Sequence, residues 1–126
     1  MKTVFGFGEV MVRLSPIGSQ AFGDSNTIQI SAGGSEANVC AKVSQFSPQL
    51  RGAIITALND DLGGRLLVAD MMKYGVDLSH VRWMKNARNG VYYLEQGIGP
   101  IVARVDYDRA GSAITQLEPD ESLFAP

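Results

Sequence analysis

The sequence predicts an α/β fold on a parallel sheet, with a smaller second sheet beside it. Three observations predict it. Two apolar runs, Thr3 to Gly8 and Gly52 to Leu58, end in glycines or a polar turn, as strands of a parallel sheet do. Each is followed by a segment with helical apolar spacing. Further along, Gly90-Val-Tyr-Tyr-Leu-Glu95 and Val102-Ala-Arg-Val-Asp-Tyr107 flank Gln96-Gly-Ile-Gly-Pro100, which is a β-hairpin signal.

Taken in order, Thr3 to Gly8 is rich in Val and Phe and reads as a buried first strand, with Glu9 just past its end. Val10 to Leu14 alternates as a second strand and is expected to stop at Ser15-Pro16. Residues 15–26 carry Gly18, Gly23, Ser19, Ser25 and Asn26 and read as loop. Thr27-Ile-Gln-Ile-Ser31 has the period of a half-solvated strand. Ala32-Gly33-Gly34 breaks it, with Ser35 or Gly34 as N-cap and Glu36 favouring a helix start. Val39, Val43 and Phe46 recur at helical spacing, which predicts a helix over 36–46 with that apolar stripe inward.

Ser47-Pro48 ends the helix, and Gly52 to Leu58 follows as a central strand. Asn59-Asp-Asp-Leu-Gly63 is the turn at its end. Leu67, Met71 and Tyr74 mark a second helix, closed by Gly75 in a left-handed conformation. The hairpin joins residues 10–14 and 27–31 in a small separate sheet. Pro119-Asp-Glu-Ser-Leu123 looks like a helix start, with Pro in the first turn and acids near the N-terminus. The sequence stops at Pro126 before a helix body, so it is expected to be the front part of a longer chain.

Composition narrows the function classes. A length of 126 residues suits one domain, and 45% hydrophobic with 19% charged residues is ordinary for a globular protein. Net charge is −2 with no Lys/Arg stripe, so neither nucleic acid nor an anionic membrane is an expected partner. No stretch of 18 apolar residues occurs. The start reaches Gly8-Glu9 too soon for a signal-peptide core, so the chain is expected in the cytoplasm. Cys40 is the sole cysteine, which rules out an internal disulfide and a cysteine zinc site; it reads as a small buried hydrophobe. His80 is the sole histidine and is expected to be structural or exposed.

Two constellations are candidates for chemistry. In Ala32-Gly-Gly-Ser-Glu-Ala-Asn38, paired glycines after a strand and before a helix let a ligand approach the backbone. The free N–H groups of the first turn then face it. Asn38 adds a donor and an acceptor, a mixture that suits a polyol. The plain alternative is a tight strand-to-helix turn with Asn38 as a local capping partner. In Tyr107-Asp-Arg-Ala-Gly-Ser-Ala113, Tyr107 and Arg109 share a face if the strand continues, with Tyr92 and Tyr93 in the preceding strand. An Arg beside tyrosines suits a carboxylate, a phosphate or a sugar acid. A surface Arg beside sheet-packing tyrosines is the alternative. Gly6-Phe-Gly8 lacks the third glycine of a dinucleotide fingerprint, and no Gly-Lys-Ser/Thr phosphate loop occurs.

These residues, with Asn59-Asp-Asp-Leu-Gly63 and the helix end Met72-Lys-Tyr-Gly-Val-Asp77, resemble ribokinase-like (PfkB) carbohydrate kinases over essentially the whole chain. The resemblance implies the N-terminal portion of a three-layer α/β/α fold with a small β-sheet lid. It implies one truncated kinase domain over 1–126, with lid segments about 10–32 and 88–112 inserted in the core. Gly8-Glu9 and Tyr107 to Ala113 look most like 2-keto-3-deoxygluconate kinases, with fructokinase-like members as the nearest rival. Implied substrate contacts are Gly33, Gly34, Asn38, Tyr92, Tyr107 and Arg109. Glu9 lies where the family often places an acidic ligand for sugar hydroxyls.

The parent enzyme would use ATP and Mg²⁺ on a sugar or sugar acid and pair as a homodimer through the lid. The family's Gly-Ala-Gly-Asp motif, whose Asp is the catalytic base, does not occur here; that Asp is expected beyond Pro126. The chain alone is therefore expected to bind no nucleotide and to be inactive. A non-catalytic sugar-binding or dimerisation module is the second expectation. Residues 44–52 depart from the family's usual Leu-Gly helix end.

Overall fold

In the computed structural model, residues 1–125 are described. In chain order the elements are β1 (Lys2–Phe7), β2 (Met11–Pro16), β3 (Ile28–Gly33), α1 (Ser35–Phe46), β4 (Leu50–Asn59), α2 (Leu62–Met72), β5 (Val81–Met84), β6 (Val91–Glu95) and β7 (Arg104–Asp108). Short 3-10 turns lie at Phe22–Asp24, Ala113–Gln116 and Glu121–Phe124.

The strands form two sheets, as the pattern predicts. β1, β4 and β5 are parallel in the order β1-β4-β5. The second sheet has the order β3-β2-β6-β7, with β2 parallel to β6 and the other pairs antiparallel. β4 is central because every residue from Gly52 to Leu58 is apolar or small and can be buried on both faces. Its Ile54 and Leu58 face α1 and α2, where they pack with Ala37, Cys40, Leu67 and Met71. The opposite face is covered by the chain after β7. There His80 stands edge-on to Phe5 with centroids 5.1 Å apart, and its Nδ1 lies 3.1 Å from the Leu123 carbonyl oxygen. His80 is thus a buried structural residue.

Four expectations need correction. β1 forms but is not a buried strand: Phe7 is 59% exposed, because among the described residues β1 has a neighbour on one edge only. α1 forms, but not with the predicted stripe inward. Val39 is 54% and Phe46 84% exposed, while Ala37 and Cys40 are buried. The sheet beneath explains the rotation. A Cβ on Gly6 would stand 2.7 Å from Cys40 Sγ, and one on Gly52 would strike the Cys40 backbone. The helix lies so close that only small side chains fit between, and Cys40 Sγ donates to the Ala53 carbonyl at 3.3 Å. β2 continues through Ser15 and Pro16, because β6 pairs only with Val12–Leu14 and asks for no N–H at position 16. The segment after Pro119 makes one 3-10 turn, with the Ser122 N–H donating to Asp120 Oδ1 at 2.6 Å.

α2 begins on Asp61, whose carboxylate accepts from the Gly64 N–H at 2.9 Å. Leu67 and Met71 are buried, but Tyr74 is exposed, and Gly75 takes φ 73° as the left-handed turn requires. The turn before α2 is also tied to the segment that enters β6. The Asn59 N–H donates to Asn89 Oδ1 at 2.9 Å, and Asn89 Nδ2 donates to Asp61 Oδ1 at 2.9 Å. The Ala87 N–H donates to Asn59 Oδ1 at 3.0 Å, and Asn59 Nδ2 to Asp61 Oδ2 at 2.6 Å.

Two outcomes follow from this packing. Gly52→Ala forces a methyl group into the Cys40 backbone and is expected to destabilise the chain by roughly 1–3 kcal/mol in chemical denaturation. Acid is expected to destabilise it too. The Gly64 N–H and the Asn59 amide hold the Asp61 carboxyl below its ordinary 3.8. Burial pushes Asp70 up, but the Ala32 N–H and Lys73 outweigh it and hold it low. Ser79 does the same for Asp77. Depressed folded-state values mean stability that is present above about pH 4 and lost as pH falls through them. Melting temperature measured from pH 6 to pH 2.5 is expected to drop below about pH 4, and less steeply in Asp61→Asn.

Candidate functional site

Where the two sheets meet, the chain crosses between them beside the start of α1. β1 delivers Gly8 and Glu9 to this junction, and β3 delivers Gly33 and Gly34. Gly34 is the N-cap with φ 145° and ψ 139°, and a Cβ there would strike the Glu9 carbonyl oxygen. Only glycine fits, on both counts. No side chain caps the helix, so the N–H groups of its first turn have no side-chain partner.

These groups form one wall of a cavity of about 530 Å³. Gly8, Glu9, Gly34, Ser35, Glu36 and Asn38 come from the core side, and Met11, Tyr92, Leu94, Val105, Tyr107 and Arg109 from the second sheet. Of the residues singled out in the sequence, Glu9, Gly34, Asn38, Tyr92, Tyr107 and Arg109 all line it. Gly33 does not: it lies under Tyr92, whose hydroxyl occupies the space a Cβ would need. Tyr93, on the opposite face of β6, packs edge-on with Phe22 at 5.6 Å.

The register makes the aromatic wall. Tyr92 is directly opposite Tyr107, and Leu94 opposite Val105, so these four share a face. The Tyr92 and Tyr107 rings are 5.7 Å apart and tilted by 37°. Arg109 lies over the Tyr107 ring at 5.1 Å, which orients the guanidinium without tying it to a carboxylate. On the core side stands an acidic pair. Glu9 Oε1 is buried with no hydrogen-bond partner among the described residues. The Glu36 carboxylate lies against Gly8, 2.5 Å from where a Cβ would stand. The cavity wall therefore brings together two carboxylates, the helix N–H groups, a cation and two phenols.

Sequence reasoning missed Glu36, Leu94 and Val105. The last two were legible, since they follow Tyr92 and precede Tyr107 by two residues in paired strands. Glu36 was read only as a helix-start acid. Among the described residues no group of three or more His, Cys, Asp or Glu is placed to hold a metal ion. No described helix is long and apolar enough to cross a membrane.

Comparison with known proteins agrees with this arrangement. The chain is 36% identical over 115 residues to a 2-dehydro-3-deoxygalactonokinase of Haloferax volcanii, covering 91% of this chain and 35% of that protein. It is 29% identical over 122 residues to a 2-dehydro-3-deoxygluconokinase of Thermoproteus tenax, covering 96% of this chain and 37% of that one. The crystal structure of 2-dehydro-3-deoxygluconokinase from Thermotoga maritima superposes with a TM-score of 0.87 at 32% identity, over 94% of this chain and 35% of that one. The chain thus spans about a third of the length of these relatives. The pattern of the pfkB family carbohydrate kinases matches residues 1–116, and with the glycine-lined, Arg-capped cavity in place the chain belongs to that family.

Proposed function

We propose that this chain supplies the acceptor-binding half of a sugar-acid kinase, which phosphorylates 2-keto-3-deoxygluconate or a related 2-keto-3-deoxy acid at the expense of ATP. The observation that carries this reading is that one cavity is lined by a cation, Arg109, and by two carboxylates, Glu9 and Glu36, together with Asn38 and two tyrosines. A keto-deoxy aldonate carries the complementary groups: one carboxylate, a carbonyl and a run of hydroxyls. The Arg109 guanidinium suits the carboxylate as a planar fork of donors. Tyr92 and Tyr107 offer hydroxyls and an apolar surface to the carbonyl and deoxy carbon. Asn38 and the first-turn N–H groups of α1 donate, and Glu9 and Glu36 accept, at the hydroxyl end.

In the reaction, this chain's residues bind and orient. Phosphoryl transfer depends on holding the acceptor hydroxyl in line with the γ-phosphate, so orientation is itself catalytic. ATP supplies the phosphoryl group and Mg²⁺ neutralises it when bound. The part of this chain in the reaction is to position the acceptor. We place the reaction in the cytoplasm, and the whole enzyme as a homodimer. The support for pairing is the lid face turned away from the cavity, where Ile30 is 51% and Tyr93 40% exposed.

Calorimetry on this chain with 2-keto-3-deoxygluconate, gluconate and fructose tests the reading. The keto-deoxy acid is expected to bind best, and Arg109→Ala to weaken it roughly 10- to 100-fold, as loss of a charge-assisted hydrogen bond does. Addition of ATP and Mg²⁺ is expected to give no phosphorylated product. Preference for fructose, or indifference to Arg109→Ala, would overturn the assignment. Glu9→Gln separates ligand binding from folding. Since Glu9 Oε1 has no hydrogen-bond partner among the described residues, the melting temperature is expected not to fall while affinity for the acid does. A clear loss of thermal stability would instead give Glu9 a structural role.

A further inference from the structure

The turn Asn59-Asp60-Asp61-Leu62-Gly63 contributes nothing to the cavity wall, yet its side chains reach across to the segment that enters β6. We propose that Asn59, Asp61 and Asn89 form a positioning clamp: they fix residues 87–90, and through Gly90 they set where Glu9 and Arg109 stand.

Three consecutive residues carry the argument, each facing a different wall. Asn89 is held by the core turn: its Oδ1 accepts from the Asn59 N–H at 2.9 Å, and its Nδ2 donates to Asp61 Oδ1 at 2.9 Å. Asp61 is itself fixed by the Gly64 N–H, and Asn59 by Ala87. Arg88 is held by the chain around Arg109. Its carbonyl accepts from the Ala113 N–H at 2.8 Å, and its guanidinium pairs with the Asp108 carboxylate at 2.9 Å. Gly90 is the contact with the site. A Cβ there would strike Glu9 Oε1 and would stand 2.9 Å from Met11 Cγ and 3.1 Å from Arg109 Cβ. The Gly90 carbonyl also accepts from the Val12 N–H at 2.9 Å. An acid and the cation of the cavity wall, Glu9 and Arg109, therefore both pack against Gly90, and Gly90 is adjacent to the clamp.

The clamp is built from neutral amides around one carboxylate, so its hydrogen bonds are directional, and four of them close a ring between two chain segments. A nearby ion pair is a natural control. Asp60 pairs with Arg65 at 2.6 Å on the same turn and makes no recorded contact with residues 87–90.

Hydrogen exchange on the unliganded chain, comparing Asn89→Ala with Asp60→Ala, tests the clamp without assuming any ligand. In Asn89→Ala, the Val12 and Ala113 amides, which donate to Gly90 and Arg88, are expected to exchange about tenfold faster. The Gly8 and Ile54 amides, which donate to Ile55 and Asp77 in the core, are expected to be unchanged. Asp60→Ala should leave all four as they are. A uniform rise, or no change at Val12 and Ala113, overturns the clamp.

A second arm rests on the sugar-acid reading. Affinity for 2-keto-3-deoxygluconate is expected to fall about tenfold in Asn89→Ala and to hold in Asp60→Ala. Equal affinity in all three proteins overturns the positioning role. If the unaltered chain binds no acid, the substrate reading fails and the exchange rates alone decide the clamp. If Asn89→Ala does not fold, Asn59→Ala, which frees the Ala87 N–H and the second Asp61 oxygen, is read by the same amides.

Discussion

The close seating of α1 on β1 and β4 is the constraint on which the rest of the structure depends. Gly6 and Gly52 remove the side chains that would separate helix and sheet, and Cys40 fills what little space is left. At that distance, the N-terminus of α1 is brought directly beside the end of β1. Gly8 then lies against Glu36, and Gly34 against the Glu9 carbonyl. Had the helix packed through Val39 and Phe46, the larger side chains would have lifted it from the sheet. The first-turn N–H groups would then face away from Glu9. Core packing and site geometry are thus one contact seen from two sides.

The same economy holds in the second sheet. Its strands are short and its outermost strand, β7, is exposed along its whole length, so it contributes little to the core. What it contributes is a face. Register places Tyr92 opposite Tyr107, and two residues on, Arg109 leaves the strand still on that side. The sheet is bound to the core at few places, and the chain crosses between the two at Gly8–Val10, Gly33–Gly34 and Arg88–Gly90. At each crossing a Cβ would meet a neighbour: Glu36 of α1 at Gly8, Tyr92 at Gly33, the Glu9 carbonyl at Gly34 and Glu9 Oε1 at Gly90.

Most elements were legible in the sequence because periodicity and punctuation are local. The run Gly52–Leu58, the alternation of 27–31 and the hairpin around Gln96–Pro100 each specify a strand without reference to anything distant. Burial was less legible. Val39, Val43 and Phe46 make a regular stripe, yet the helix turns its small residues inward because two glycines far away in sequence allow it. Phe5 and Phe7 read as core, but exposure depends on what lies beside β1, which no local pattern records. The candidate site fared better because its residues cluster at glycine-bearing junctions and on one strand face, two features that sequence spacing encodes. Glu36 was missed for the opposite reason. An acid in the first turn of a helix is explained by the helix alone, and only the position of Gly8 reveals that it also borders a cavity.

The arrangement of charge in the cavity bears on what it accepts. A buried carboxylate oxygen without a hydrogen bond is costly in an isolated protein, because water has been removed and nothing has replaced it. On the cavity wall the Glu9 carboxylate only accepts, and hydroxyl groups are donors whereas carboxylates and phosphates are not. Arg109 imposes the reverse condition, since it offers only donors and, among the described residues, forms no ion pair. A neutral sugar satisfies the first condition and leaves the second unmet. A compound anionic at both ends satisfies the second and is repelled by Glu9 and Glu36. A chain of hydroxyls carrying a single carboxylate meets both, which is the chemical ground of the sugar-acid reading proposed above.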